Sequence, residues 1–196
     1  VTGKRNPTVT NHSYGSSIQP GVTANFGNVT RVVYRGVDFN PGRNLTAAEM
    51  QARGFYAPTT TPTIPYYYTA READIQDAIN DGIIVVASAG NEYWKIVNSS
   101  DQDYNNIYYM TYFGTNYAWD LNKGTGGGAG YAPVITVGAV SNNRLENKAT
   151  FSNCGNQVDV FAAGEAIQSS LHSGASNDPR NTSYQLGKYQ GTSMAS

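Results

Sequence analysis

Runs of apolar, β-branched residues bounded by glycine, proline or polar residues recur along the chain from residue 83 onward. The run Ile83–Ala87 directly follows residues 69–82, whose apolar positions share one helical face and whose Gly82 is a natural helix stop. A helix, a glycine and then an all-apolar strand in this order are typical of a buried parallel strand. Two further runs lie at 133–140 and 158–162. The pattern therefore predicts an α/β fold with a mostly parallel central sheet.

The first half of the chain is less regular. Residues Thr8–Gly15 alternate small polar and larger side chains before a glycine, which predicts a first strand that ends at a loop. No such pattern continues through residues 16–69, where the prolines of 58–65 remove backbone donors, or through the Tyr-rich residues 93–130. We interpret 16–69 and 93–130 as loop-rich insertions. Their tyrosines suit an interface with a protein partner, and a spacer without a partner is the alternative.

Charge and cysteine content exclude several classes of function. The chain has 13 Lys and Arg residues against 14 Asp and Glu residues, a net charge of -1, and only 14% charged residues. This balance gives no electrostatic reason to bind nucleic acid or an anionic membrane, and the apolar runs are shorter than the roughly 20 residues that span a bilayer. Cys154 is the only cysteine, so neither an internal disulfide nor a thiolate zinc site is available.

Two segments carry residues that suit one reaction. The segment Gly191–Ser196 presents Ser193 among small residues, where a hydroxyl and its own backbone N–H point into the same space. Asn91 follows the buried strand predicted at 83–87, at the carboxyl edge where open α/β sheets keep their active sites. A side-chain amide there can donate to a developing oxyanion. The pair predicts nucleophilic attack by a serine on a carbonyl group.

These segments resemble those of the subtilisin-like serine proteases, the subtilases. The resemblance follows the family's order along most of the chain, through Val9–Gly15, Ala73–Glu92, Tyr131–Val140, Ala149–Asn153, Val158–Gly164, Ile167–Ser170 and Gly191–Ser196. It implies a three-layer subtilisin-like fold, with residues 1–196 forming a single partial catalytic domain whose central sheet is incomplete at both ends. It also implies a peptide or protein substrate.

The resemblance assigns roles to individual residues. Ser193 would be the nucleophile that forms the acyl-enzyme, and Asn91 with the N–H of Ser193 would form the oxyanion hole. The walls of the substrate pocket would be two triplets: Ser13, Tyr14 and Gly15, and Ser88, Ala89 and Gly90. Tyr14 departs from the family pattern, and its bulk and hydroxyl leave the pocket preference open, with an apolar or aromatic guest favoured.

The aspartate and histidine of the family's triad are missing from this sequence. His12 lies inside the first predicted strand and His172 in a loop, and neither has the motif that carries the family's base. A serine hydroxyl without a base is a poor nucleophile, so we interpret the chain as an internal portion of a larger protease. The alternative is a catalytically inactive subtilase-fold domain, structural or binding, in an assembly such as a virus particle.

Cofactor and location follow from the same interpretation. No cofactor is required for this chemistry, and no catalytic metal is expected. Asp159, with the carbonyl groups of Val134 and Gln157, is the candidate for a structural calcium site, although calcium takes six to eight oxygen ligands. The Tyr-, Gly-, Asn- and Thr-rich composition predicts an extracellular or particle-associated protein, a virion included.

Overall fold

The computed structural model describes residues 7–15, 17–18, 29–39, 64–65, 69–112, 114–120, 122–123, 132–171 and 176–196. The strands in these ranges are β1 (Val9–His12), β2 (Ser17–Ile18), β3 (Val29–Tyr34), β4 (Val37–Phe39), β5 (Ile64–Pro65), β6 (Ile84–Ser88), β7 (Ile107–Tyr112), β8 (Thr115–Asp120), β9 (Ile135–Val140), β10 (Val160–Ala163), β11 (Ile167–Leu171), β12 (Ser176–Asp178) and β13 (Asn181–Tyr189). The helices are α1 (Thr69–Asn80) and α2 (Thr192–Ala195).

A parallel sheet forms the centre of the fold. Its strand order is β1-β6-β9-β10, and all three pairings are parallel. Val9 pairs with Ile84, and Val86 with Ile135. The α/β class and the parallel central sheet expected from the sequence are confirmed, and each of the four apolar or alternating runs forms one of its strands.

Helix α1 covers part of this sheet and builds the core with it. Ile75 of α1 is buried against Val85 and Ala87 of β6, together with Ala132 and Val134. The helix ends as its sequence predicts, because Gly82 adopts a φ of +84° and donates its N–H to the carbonyl oxygen of Ile79. β6 follows immediately, so the chain enters the sheet directly from the helix.

The two segments interpreted as loop-rich insertions also contain strands, and their status as insertions stays a prediction. β3 and β4 come from 16–69, β7 and β8 from 93–130, and together they form an antiparallel sheet of order β4-β3-β7-β8, here called the accessory sheet. β2 and β5 pair as well. The sequence concealed the four-stranded sheet because the pairing of β3 with β7, which joins the β3–β4 and β7–β8 hairpins, spans some seventy to eighty positions of the chain.

The turn between β3 and β4 is a two-residue hairpin connection. Its central residues, Arg35 and Gly36, have φ values of +50° and +79°. Positive φ at both central positions belongs to the type I′ turn, whose twist matches that of the flanking strands. Asn-Gly is the usual signal for this turn, and Arg-Gly lacks it. The hairpin was therefore not predicted from the sequence.

Asp103 anchors the accessory sheet in a network of charged and amide groups. Its buried carboxylate accepts hydrogen bonds from Arg35, at 2.6 and 3.2 Å, and from Lys95 at 2.6 Å. Asn106 donates to it at 3.2 Å and accepts the backbone N–H of Arg35. The hydrogen bond from Arg35, with those from Lys95 and Asn106, lowers the pKa of Asp103 to about 2. The β3–β4 hairpin is thus tied to the segment that leads out of the central sheet.

A second antiparallel sheet leads to α2. Its strand order is β11-β13-β12, with Ile167 paired to Tyr189. After β13 the chain returns to the central sheet, where the N–H of Gly191 donates to the carbonyl oxygen of Gly164 at 2.9 Å. Helix α2 then lies against β9, β6 and β10. This return brings Ser193 to the edge of the central sheet where β6 ends.

Candidate active site

The two predicted wall segments lie side by side at one edge of the central sheet. β1 and β6 are parallel neighbours, and His12 near the end of β1 pairs with Ala87. Ser13–Gly15 therefore continue beyond β1 next to Ser88–Gly90, which close β6 and continue beyond it. Carboxyl ends of parallel strands are the usual location of binding sites in open α/β sheets. The two triplets thus lie at this edge of the sheet, and their role as walls of a substrate pocket stays a prediction.

Ser193 contacts the segment that follows β1. Its hydroxyl donates a hydrogen bond to the carbonyl oxygen of Ser13 at 3.1 Å. The Ser13 hydroxyl lies 3.2 Å from the carbonyl oxygen of Ser193 and 3.0 Å from the hydroxyl of Ser196. Asn11 adds a bond from its amide to the carbonyl oxygen of Ser196 at 3.2 Å. Helix α2 is thereby fixed against the end of β1, with Ser193 half-buried at the contact.

Asn91 is oriented by Thr192, a residue that the sequence analysis did not single out. The N–H and the hydroxyl of Thr192 both donate to Oδ1 of Asn91, at 2.9 and 3.0 Å. The same hydroxyl accepts the N–H of Gly90 at 3.1 Å. Thr192 is fully buried, whereas Asn91 is exposed. Because the amide oxygen is engaged by Thr192, the amide nitrogen of Asn91 is directed away from it.

The nitrogen of Asn91 and the backbone of Ser193 face a common space beside Gly191. A Cβ built on Gly191 would lie 3.6 Å from Nδ2 of Asn91, 3.7 Å from the backbone nitrogen of Ser193 and 3.5 Å from Sδ of Met194. Gly191 also has a φ of +151°, which favours glycine. The absence of a side chain at this position therefore leaves both nitrogen atoms beside one unfilled position, large enough for a methyl group without a clash.

His12 contacts Tyr14 through its ring and its Nδ1 atom. Nδ1 of His12 lies 3.0 Å from the Tyr14 hydroxyl, and the two rings stack with centroids 5.2 Å apart. The guanidinium of Arg71 lies 5.3 Å from the centroid of the Tyr14 ring, on which it stacks. Tyr14 is nearly half exposed. The other histidine considered from the sequence, His172, lies outside the described residues.

Asn153 holds the loop that carries Asn91, and nothing in the sequence pointed to it. Its side chain bonds to Ala89, Glu92 and Trp94, and its backbone N–H to Gly90. Asn153 is buried and lies some sixty residues from this loop along the chain. Thr192, by contrast, lies within the serine motif, so its position next to Ser193 was a sequence signal that could have identified it.

The candidate calcium ligand Asp159 is engaged with the backbone of Thr136. Its Oδ2 atom accepts the N–H of Thr136 at 2.7 Å, and its own N–H donates to the carbonyl oxygen of Thr136 at 2.9 Å. Within the described ranges, no group of three or more His, Cys, Asp or Glu side chains is arranged to hold a metal ion. The structural calcium site stays a prediction. In the same part of the chain, no helix is both long and apolar enough to span a bilayer.

Comparison with known proteins gives a consistent result. The model of the subtilase family, Peptidase S8, matches residues 3–196. Subtilisin of Bacillus pumilus is 29% identical over 163 residues, 83% of this chain and 42% of that protein. Subtilisin DY of Bacillus licheniformis is 34% identical over 128 residues, 65% of this chain and 34% of that protein.

Among solved structures, a protease of Pseudoalteromonas arctica is similar at 26% identity. The match covers 66% of this chain and 32% of that one, with a TM-score of 0.39. The chain thus spans less than half the length of these relatives. The family model nevertheless matches almost every residue, from near the start to Ser196. This chain belongs to the subtilase family of serine peptidases.

Proposed function

We propose that this chain supplies the nucleophile and the oxyanion hole of a serine endopeptidase. The observation that carries the proposal is the space beside Gly191, which is bordered by Nδ2 of Asn91 and the backbone nitrogen of Ser193. Donors fixed around the position of a developing oxyanion stabilise the transition state of acyl transfer. A binding domain has no need of a serine hydroxyl next to such a pair of donors.

In the proposed reaction, Oγ of Ser193 attacks the carbonyl carbon of a peptide bond. The carbonyl oxygen takes up negative charge and accepts hydrogen bonds from Asn91 and from the N–H of Ser193. When the tetrahedral intermediate collapses, the C–N bond breaks, the leaving amine takes the proton that came from Ser193, and an acyl-enzyme remains. A water molecule then attacks the ester, which releases the acid and restores the hydroxyl.

The proton of Ser193 requires a general base. Its present hydrogen-bond partner is the carbonyl oxygen of Ser13, which is far too weakly basic to take the proton. His12 is engaged with Tyr14. We therefore assign the base to a histidine, oriented by an aspartate, on a part of the longer protein outside Val1–Ser196.

The proposed substrate is an extended peptide bound between the segments Ser13–Gly15 and Ser88–Gly90. Extended peptides bind such walls through main-chain hydrogen bonds, while a pocket between the walls selects the side chain. Tyr14 lies on one wall, where its bulk and hydroxyl leave the pocket preference open, and we propose an apolar or aromatic residue before the scissile bond. A structural calcium ion near Asp159 and an extracellular location, a virus particle included, belong to the same proposal.

The accessory sheet is the part of the molecule to which we assign a protein partner. Arg31 on this sheet forms an exposed ion pair with Asp38 and stacks on Tyr109. Aromatic and arginine side chains of this kind are enriched at protein interfaces. The proposal of a protein partner does not depend on the proposal of catalysis.

Hydrolysis of peptide p-nitroanilides by the full-length protein tests the proposed reaction. We expect Ser193→Ala to reduce kcat by a factor of about 10³ or more, because the residual rate comes from binding and the oxyanion hole alone. Ser196→Ala is the matched control, since Ser196 is two residues away and also contacts Ser13, and it should retain most of the activity. If Ser193→Ala cleaves at the wild-type rate, Ser193 is not the nucleophile and the proposed reaction fails. If the folded wild type cleaves nothing, the inactive scaffold replaces the enzyme.

A further inference from the structure

We propose that Asn153 is a positioning residue for the oxyanion hole, which it serves without touching Asn91. The proposal rests on the proposed function, because it assigns to Asn91 the role of oxyanion donor. Its basis is the loop 89–94 that follows β6 and carries Asn91 near its centre. Asn153 bonds to this loop on both sides of Asn91, and so fixes the backbone from which the catalytic amide projects.

Four hydrogen bonds join Asn153 to the loop. Before Asn91, the side-chain nitrogen Nδ2 donates to the carbonyl oxygen of Ala89 at 2.8 Å, and the backbone N–H donates to that of Gly90 at 3.0 Å. After Asn91, Nδ2 also donates to Oε2 of Glu92 at 2.8 Å, and Oδ1 accepts the N–H of Trp94 at 2.7 Å. Only 2% of Asn153 is exposed, so water does not replace these partners when they are lost.

The loop has the conformation of a tight turn that depends on support. Gly90 and Tyr93, on either side of Asn91, have φ values of +102° and +61°. Tyr93 is an L-residue in the left-handed region, which is unfavourable unless the surroundings enforce it. A Cβ on Gly90 would lie 2.5 Å from both Nδ2 of Asn153 and Oε2 of Glu92. Asn153 therefore packs against the backbone of the loop with no space between them.

Asn91 itself is held by other groups. Its amide oxygen bonds to Thr192, and Thr192 also bonds to Gly90. Thr192 thus sets the direction of the Asn91 side chain, while Asn153 sets the backbone position from which that side chain starts. Loss of Asn153 moves a donor that acts mainly in the transition state, so it lowers kcat more than it raises KM.

Three variants of the full-length protein separate this role from a general contribution to stability. Asn153→Ala removes all side-chain bonds to the loop, whereas Asn153→Asp keeps the size and the acceptor for Trp94 but loses both donated bonds. Ser152→Ala is the matched control: Ser152 is the adjacent buried polar residue, and its hydroxyl accepts the N–H of Ala139 in β9 and donates to the backbone carbonyl of Asn153, so its loss leaves the side chain of Asn153 and its bonds to the loop in place. Thermal unfolding measures the stability that each variant loses.

Steady-state kinetics give the first readout. We expect both Asn153 variants to lower kcat by about tenfold or more, with KM within about threefold of wild type, and Ser152→Ala to keep kcat within about threefold. Asn153→Asp carries the test if Asn153→Ala does not fold. Equal losses of kcat in the Ser152 and Asn153 variants, at similar losses of thermal stability, would overturn the positioning role.

Hydrogen exchange gives a second readout that does not depend on activity. The amides of residues 89–94 should exchange at least about tenfold faster in the Asn153 variants than in wild type, and at the wild-type rate in Ser152→Ala. If the wild type is inactive but this difference in exchange appears, the proposed function fails while Asn153 still fixes the loop. Unchanged exchange at 89–94 in the Asn153 variants would overturn the inference itself.

Discussion

Thr192 and Asn91 are joined by two hydrogen bonds to one atom: the N–H and the hydroxyl of Thr192 both donate to Oδ1 of Asn91, at 2.9 and 3.0 Å. An amide whose oxygen is held in this way has only one orientation available for its nitrogen. Because Thr192 is fully buried and its hydroxyl also accepts the N–H of Gly90, the pair links the nucleophile segment to the loop after β6. The orientation of the proposed oxyanion donor is therefore built into the fold.

Replacement of Thr192 tests this linkage. Thr192→Val keeps the shape but removes the hydroxyl, so Asn91 loses one of its two donors and the N–H of Gly90 loses its acceptor. We expect kcat to fall by about tenfold to a hundredfold, corresponding to roughly 1.4 to 2.7 kcal/mol. Thr192→Ser, which retains the hydroxyl, should recover most of the loss. Equal activity of the valine and serine variants would show that the hydroxyl does not orient Asn91.

Removal of the Asn91 amide tests the oxyanion donor directly. We expect Asn91→Ala to lower kcat by about 10² to 10³, the magnitude found for the corresponding loss in a subtilisin, with little change in KM. The change also leaves the N–H and the hydroxyl of buried Thr192 without their acceptor, so we expect it to lower the free energy of unfolding by about 1 to 3 kcal/mol. A higher KM with an unchanged kcat would instead indicate that Asn91 binds the substrate in its ground state.

The strength of the sequence signal differed among the residues of this site. Ser193 and Asn91 were identifiable as candidates because Ser193 lies in a small-residue motif and Asn91 follows a buried strand. Asn153 was not, because its function depends on hydrogen bonds to Ala89, Glu92 and Trp94, some sixty residues away. Asparagine is common near turns for several reasons, and only its contacts in the folded protein show which of them applies to Asn153.

Acid should destabilise the fold through Asp103. The hydrogen bond from Arg35 is the largest influence lowering the pKa of Asp103, from its ordinary 3.8 to about 2. Since the folded protein favours the ionised form, the contribution to stability is complete above about pH 4 and is lost as the pH falls towards about 2. The shift of the pKa corresponds to a contribution of Asp103 to the free energy of unfolding on the order of 2 kcal/mol.

Urea unfolding between pH 5 and pH 2 measures this contribution. Asp103→Asn should flatten the dependence of stability on pH below about pH 4. Asp178→Asn is a control, because the pKa of Asp178 is also lowered to about 2, by Arg180, but Arg180 is largely exposed and the pair is screened by solvent. A larger effect from Asp178 than from Asp103 would contradict the assignment of the buried network as the acid-sensitive element.

Two glycines with left-handed backbone provide a matched test of the loop that carries Asn91. Gly82 and Gly90 have φ values of +84° and +102°, but a Cβ on Gly82 meets nothing within 4 Å. Gly82→Ala should cost only about 1 to 2 kcal/mol of backbone strain. Gly90→Ala adds a collision with Asn153 and Glu92, so it should lower the melting temperature further and reduce activity as well. Similar stability of the two variants would show that the loop accommodates a Cβ at position 90 without further cost.

The fold was predictable where its hydrogen-bonding partners follow local patterns. Helix α1 and strand β6 were visible because an apolar helical face, Gly82 and an all-apolar run occur in sequence. The accessory sheet was not, since β3 and β7 pair across two segments that the sequence separates by α1 and β6. Tyr- and Thr-rich residues such as 107–112 do favour strands, but they lie in an irregular segment that ends in the glycine cluster of 124–130, so this preference alone did not predict a sheet.

Covalent labelling by a fluorophosphonate tests the central claim most directly, because the reagent requires an activated serine rather than a particular peptide. The full-length protein is treated with the reagent, and the modified residue is located by mass spectrometry of its peptides. We predict a single adduct on Ser193, lost in Ser193→Ala and retained in Ser196→Ala. Absence of an adduct on the folded protein, or an adduct on Ser196 instead of Ser193, would contradict the assignment of Ser193 as the nucleophile.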